Sequence, residues 1–132
     1  MSHAIGIVII DDHDVVRQAL AARLCTERDF EVVAETANVE TGLAAVVDKK
    51  PDIVLLDPKR TDGRGLELLG RLAQISAGAR VVVLTSYTSN WDLWTTHRTG
   101  AEYYLLKDID TAGLVERLRR LMDEPWPPET PT

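Results

Sequence analysis

Three carboxylates, a hydroxyl and an amine carry the chemistry open to this sequence. Asp11 and Asp12 follow the apolar run Ile5-Gly6-Ile7-Val8-Ile9-Ile10, and Asp57 follows Ile53-Val54-Leu55-Leu56. Thr85 ends Val81-Val82-Val83-Leu84, and Lys107 ends Tyr103-Tyr104-Leu105-Leu106. Clustered carboxylates suit Mg2+, a hard cation that takes oxygen ligands and offsets the repulsion between incoming phosphoryl oxygens and an anionic acceptor. In such a pocket Asp57 is the nucleophile, Lys107 a point charge against one phosphoryl oxygen and Thr85 a hydroxyl donor to another. The implied chemistry is transfer of a phosphoryl group onto a carboxylate, which rests mostly on positioning and charge compensation.

These groups need elements that deliver them to one place. Four or more consecutive large aliphatics, many of them β-branched, fit strands of a parallel sheet covered on both faces, and ligands gather at the carboxyl ends of such strands. A second, shorter strand is expected over Glu31 to Glu35. Between the strands the apolar period becomes helical. Val16, Leu20 and Leu24 form one line, Leu43, Val46 and Val47 the face of a short helix that Pro51 ends, and Leu66, Leu69, Leu72 and Ala73 a third face running to Gly78. Ser89 to Thr99 reads as a weak helix stopped by Gly100, with Leu93, Thr96 and His97 inward. Asp110 is expected to cap a last helix with Leu114, Leu118 and Leu121 inward and Glu116, Arg117, Arg119 and Arg120 in water. Five strands alternating with five helices define an α/β fold, an all-parallel sheet with helices on both faces.

The chain of 132 residues is the length of one domain, and 45% hydrophobic with 27% charged residues is ordinary globular composition. We expect the domain over residues 1–122 and an extended, Pro-rich linker or tail over residues 123–132. A net charge of −6 argues against this chain gripping a nucleic-acid backbone. Cys25 is the only cysteine, which excludes an intramolecular disulfide, and its place near the apolar line of the first helix suggests a buried structural thiol. Apolar runs are far shorter than the roughly 18 residues of a membrane helix, and a cytoplasmic setting without membrane attachment is expected.

The ordered motifs resemble a response regulator receiver domain, the CheY-like phosphoaspartate switch of two-component signalling, over about residues 5 to 122. They are Ile10-Asp11-Asp12-His13, Pro51 to Asp57, Gly65-Leu66-Glu67-Leu68-Leu69, Leu84-Thr85-Ser86 and Gly100 to Asp108. Asp11-Asp12-His13 with Val16-Arg17 and Leu20, and Leu105-Leu106-Lys107-Asp108, are similar in particular to NarL/LuxR-type regulators. The resemblance implies a single doubly wound (βα)5 flavodoxin-like domain, with strand order 2-1-3-4-5. It implies phosphotransfer from a sensor histidine kinase to Asp57, with Mg2+ held by Asp11, Asp12, Asp57 and the backbone carbonyl of Lys59. Thr85 and Tyr104 would shift inward on phosphorylation, switching a homodimer and a DNA-binding, transcriptional output carried by a domain absent from this chain. Such a domain is a signalling module and not an enzyme. A phosphatase of the haloacid-dehalogenase type would need a second acid where Lys59 stands.

The loop after Asp57 departs from the family. Pro58 follows the acceptor where a hydrophobic residue is usual, and Arg60-Thr61 replaces a Met-Pro pair. Pro58 has no N–H to offer an anion. The Lys59 ammonium has two readings, solvent or the acidic pocket, where with Tyr87 it would slow hydrolysis of the acyl phosphate. Tyr104 reads equally as a core aromatic or a switch, and Trp91 and Trp94 as outward interface anchors or as residues folded back on the protein. His13 reads as a loop residue beside the metal site. The altered loop keeps open an atypical, phosphorylation-independent receiver that acts as a dimerisation or docking module.

Overall fold

The structure, a computed structural model, describes residues 4–75, 78–85, 103–106 and 111–123, and of residues 85, 103–106 and 111 only the backbone. In chain order the described elements are β1 (Ile5–Ile10), α1 (Asp14–Cys25), β2 (Phe30–Thr36), α2 (Val39–Lys49), β3 (Ile53–Leu56), α3 (Gly65–Ile75), β4 (Arg80–Thr85), β5 (Tyr103–Leu106) and α4 (Thr111–Leu121). The strands form one parallel sheet in the order β2-β1-β3-β4-β5. The helix expected over Ser89 to Thr99, with Trp91, Trp94 and the Gly100 stop, lies outside the described residues, as do Lys107, the Asp110 cap and Tyr87.

The uninterrupted apolar runs follow from burial on both faces. Ile7, Ile9, Ile53, Leu55, Val82 and Leu84 point to one side, against Ala21 and Leu24 of α1 and Leu114, Val115, Leu118 and Leu121 of α4. Their neighbours Val8, Ile10, Val54, Leu56, Val81 and Val83 point to the other, against Val39, Leu43 and Val46 of α2 and Leu68, Leu69 and Leu72 of α3. Strand side chains alternate between faces, so each strand serves both layers. Burying one such side chain contributes about 1.5–3 kcal/mol, and this two-sided core is what holds the strand ends rigid.

Backbone pairing continues to the bottom of the sheet through Asp52. Its N–H donates to Gly6 O (2.8 Å), its Oδ2 accepts from Gly6 N–H (2.8 Å), and its carbonyl accepts from Arg80 N–H (2.9 Å). Three strands are thereby tied at one residue. In β2 a bulge sets Val32 opposite Ile7 but Ala34 opposite Val8, leaving Val33 as the extra residue.

Several expected positions shift. The second strand runs from Phe30 to Thr36, wider than Glu31 to Glu35. Val47 is exposed, and so is Ala73; Leu66 is 47% exposed, while Leu68 takes its place in the core. Cys25 is exposed at the last position of α1 and is not a buried thiol, because the inward line of that helix runs through Ala21 and Leu24.

Candidate functional site

The site grows out of the pairing of β1 with β3. Ile10 stands opposite Leu56 in register, so the next residues, Asp11 and Asp57, emerge side by side at the carboxyl edge of the sheet. Both are 2% exposed, the buried acids of the described residues. The Asp11 N–H continues the β1–β2 ladder onto Thr36 O (3.0 Å), which fixes the start of the turn. Arg17, on the first turns of α1, donates to the Asp11 carbonyl (2.8 Å) and pairs with Asp14.

His13 turns back over this edge. Its N–H and its Nδ1–H both donate to Asp11 Oδ1, at 2.9 and 2.8 Å. The same Nδ1 lies 3.5 Å from Asp12 Oδ1 and 3.7 Å from Asp57 Oδ2. His13, expected to stand beside the site, is therefore a wall of it. It also caps the start of α1 from extended backbone, without a side-chain capping bond.

The loop from Asp57 to α3 supplies the opposite wall. The Lys59 N–H donates to Asp57 Oδ1 at 2.8 Å, so the donor missing at Pro58 is replaced one residue later. Thr61 donates through both its N–H and its hydroxyl to Asp12 Oδ2, each at 2.8 Å. Asp12 Oδ1 is buried without a hydrogen-bond partner among the described residues. Burial by itself would raise the Asp12 carboxyl, but the two Thr61 donors, with the charges of Arg60 and His13 nearby, outweigh it and hold the group below its ordinary value.

Arg60 anchors this loop from beneath. Its side chain is only 3% exposed, with Nη2 on the Ala37 carbonyl (2.5 Å) and a forked pair to Asp62. Gly65 closes the loop against Pro58. A Cβ there would sit 1.7 Å from the Pro58 carbonyl oxygen, so only glycine fits the start of α3.

The donor set fits Mg2+. Asp11, Asp12 and Asp57 bring carboxylates to one edge, and Asp12 Oδ1 is a buried oxygen lacking a hydrogen bond beside them among the described residues. Ligand atoms of Asp11, Asp12 and His13 all lie within 4.8 Å of one another. The backbones of Thr85 and Tyr104 stand in β4 and β5, with Thr85 opposite Leu106, which places the end of β4 on the same edge of the sheet as Asp57. Sequence reasoning missed the roles of His13, Thr61 and Arg60. Thr61 alone left a usable signal, since replacing a proline restores an N–H beside an acid.

Residues 7–119 match the response regulator receiver domain family. The chain is 30% identical over 121 residues to a nitrate/nitrite response regulator protein homolog of Haemophilus influenzae, covering 92% of this chain and 58% of that protein. It is 35% identical over 115 residues to the DNA-binding transcriptional activator DevR/DosR of Mycobacterium tuberculosis, covering 87% of this chain and 53% of that protein. The chain thus spans a little over half the length of these curated relatives. Among solved structures, a CheY-like response regulator receiver domain protein from Methanospirillum hungatei superposes with a TM-score of 0.81 at 25% identity, covering 92% of this chain and 95% of that one. No helix among the described residues is long and apolar enough to cross a membrane. With a flavodoxin-like parallel sheet, acids paired at its edge and these relatives, the chain belongs to the response regulator receiver domain family, the signalling modules of two-component systems, and its relatives are of the NarL/LuxR type.

Proposed function

We propose that this chain is the phosphoacceptor domain of a transcriptional response regulator, with Asp57 as the acceptor. The observation that supports it most is the state of Asp57: 2% exposed, one oxygen on the Lys59 amide and the other turned toward a pocket shared with Asp11, Asp12 and His13. A carboxylate oxygen of Asp57 attacks the phosphorus of a kinase phosphohistidine, the P–N bond breaks, and the imidazole leaves with the electron pair. Lys59 N–H holds the attacking carboxylate in one orientation, which lowers the entropy of approach. Mg2+, held by Asp11, Asp12, Asp57 and the Lys59 carbonyl, would compensate the charge of the phosphoryl oxygens. Lys107 and Thr85 complete the acceptor site, and Thr85 with Tyr104 reports its state.

On this reading residues 1–122 are the receiver in a (βα)5 arrangement, and residues 123–132 lead toward an output module. The partners are a sensor histidine kinase, a second copy of the chain through the Trp91 and Trp94 region, and DNA by way of the output domain, all in the cytoplasm. Incubation with Mg2+ and acetyl phosphate should label wild type with one phosphoryl group, seen as a mass increase, and leave Asp57→Asn unlabelled. Labelling of wild type at a different residue, or no labelling at all, sinks the assignment.

A second reading has one observation in its favour. His13, Thr61 and Arg60 already engage or surround the acids from within the chain, as a receiver working without phosphorylation would need. In that case the chain docks or dimerises equally with and without Mg2+ and beryllofluoride, whereas the first reading requires a changed sedimentation profile.

A further inference from the structure

Asp12 is the least secure of the three acids. Its side chain is 12% exposed, against 3% for Asp11 and 2% for Asp57, and two buried like charges beside it favour its swinging out toward water. The charges of Arg60 and His13 nearby oppose this, but among the described residues the hydrogen bonds that oppose it come from one residue of another loop. Thr61 places two donors, its own N–H and its hydroxyl, on the same oxygen, Oδ2, both at 2.8 Å. Two donors fix Oδ2, the tether of the side chain then sets the orientation of the carboxylate, and Oδ1 is left as the inward oxygen, buried, without a hydrogen bond among the described residues and 3.5 Å from His13 Nδ1.

The loop is built to deliver these donors. Arg60, the preceding residue, is locked by the Ala37 carbonyl and Asp62, and its own N–H returns to the Pro58 carbonyl at 3.1 Å. A proline at this position has neither N–H nor hydroxyl, so the same clamp is chemically impossible with it. We propose that Thr61 is a positioning residue that orients Asp12 so that Oδ1 faces the cation site, making Mg2+ affinity a property of this loop. The inference rests on the proposed metal-dependent reading.

Calorimetric Mg2+ titration of the whole chain tests it. Groups that orient a metal ligand typically change affinity by about 10–100-fold when removed. Thr61→Pro, which loses both donors, should weaken Mg2+ binding about tenfold, at the low end because Asp11 and Asp57 remain. Thr61→Val keeps the N–H and should fall between Pro and wild type, while Thr61→Ser, which keeps both donors, should restore wild-type affinity. If Thr61→Pro does not fold, the ordering of Ser against Val decides the matter. Equal Mg2+ affinity in wild type, Ser and Val overturns the inference and leaves the proposed function standing. Failure of wild type itself to bind Mg2+ overturns the metal-dependent function and the inference with it.

Discussion

The two segments that wall the pocket differ in how far along the chain their side-chain bonds reach. In the turn between β1 and α1, beyond the ladder bond of the Asp11 N–H to Thr36, the bonds onto Asp11 are local: His13 donates to it from two residues on, and Arg17 reaches its carbonyl from six residues on. In the loop between β3 and α3, local bonds such as Lys59 to Asp57 and Arg60 to Asp62 are joined by others that span the fold. Thr61 meets Asp12 across 49 residues, Arg60 meets Ala37 across 23, and Arg64 meets Glu40 across 24. A locally bonded turn forms wherever its own residues stand, but a loop held by distant partners depends on the finished sheet. The difference predicts that substitutions in the loop disturb the fold as well as the site, and those in the turn mainly the site.

The largest effect should come from Gly65→Ala. Its Cβ would meet backbone, the Pro58 carbonyl at 1.7 Å, which no side-chain rotation relieves. The loop must move, and we expect a loss of at least about 3 kcal/mol in urea unfolding. A variant as stable as wild type would mean that the loop is no more constrained than the turn. Arg60 comes next. Arg60→Ala leaves the Ala37 carbonyl without its donor and a hole beneath the loop, for a loss of about 2 kcal/mol. Arg60→Met restores apolar bulk and removes a buried charge, and should stay within about 1 kcal/mol of wild type. If both variants lose the same amount, the guanidinium's bonds hold the loop and its packing does not.

In the turn, His13→Ala should have a smaller effect. The N–H of residue 13 still donates to Asp11, so only the imidazole bond is lost, at a cost below about 1 kcal/mol on the same unfolding curve. A loss as large as that of Arg60→Ala would erase the distinction between the two segments.

The same contrast explains what could be read from the chain beforehand. Strands were legible because burial on both faces writes itself as unbroken runs such as Ile53 to Leu56, and an acid directly after such a run has to sit at the rim. Helix faces were less so. In α3 the leucines at 66, 69 and 72 and those at 68, 69 and 72 both satisfy a helical period, and packing against α2 and the sheet selects the second. Val47 beside Val46 poses the same ambiguity. The Asp11-Asp12 pair and Asp57 were legible as chemistry, but the Thr61 clamp was not, since a hydrogen bond across 49 residues has no period and appears in the sequence only as an unexpected residue.

The smallest predicted effect isolates the contact between the two segments. Asp12 has a folded-state pKa held below its ordinary value, so its contribution to stability is complete above the unfolded value, about 3.9, and disappears as pH falls through the lower folded one. Asp29, lowered chiefly by its forked bond from Arg119, and also Asp62, lowered chiefly by Arg60, fade in a similar range, so wild type must lose stability on acidification whatever Thr61 does. Comparison with Thr61→Val cancels those shared contributions. The valine variant should be less stable than wild type at pH 7 by under about 1 kcal/mol, the usual size of one hydrogen bond. That deficit should shrink as the pH is lowered below about 4, where Asp12 takes up its proton in the variant first and in wild type later. A deficit that is constant with pH would show that the Thr61 hydroxyl stabilises the loop without regard to the Asp12 charge, and the two walls would then be independent.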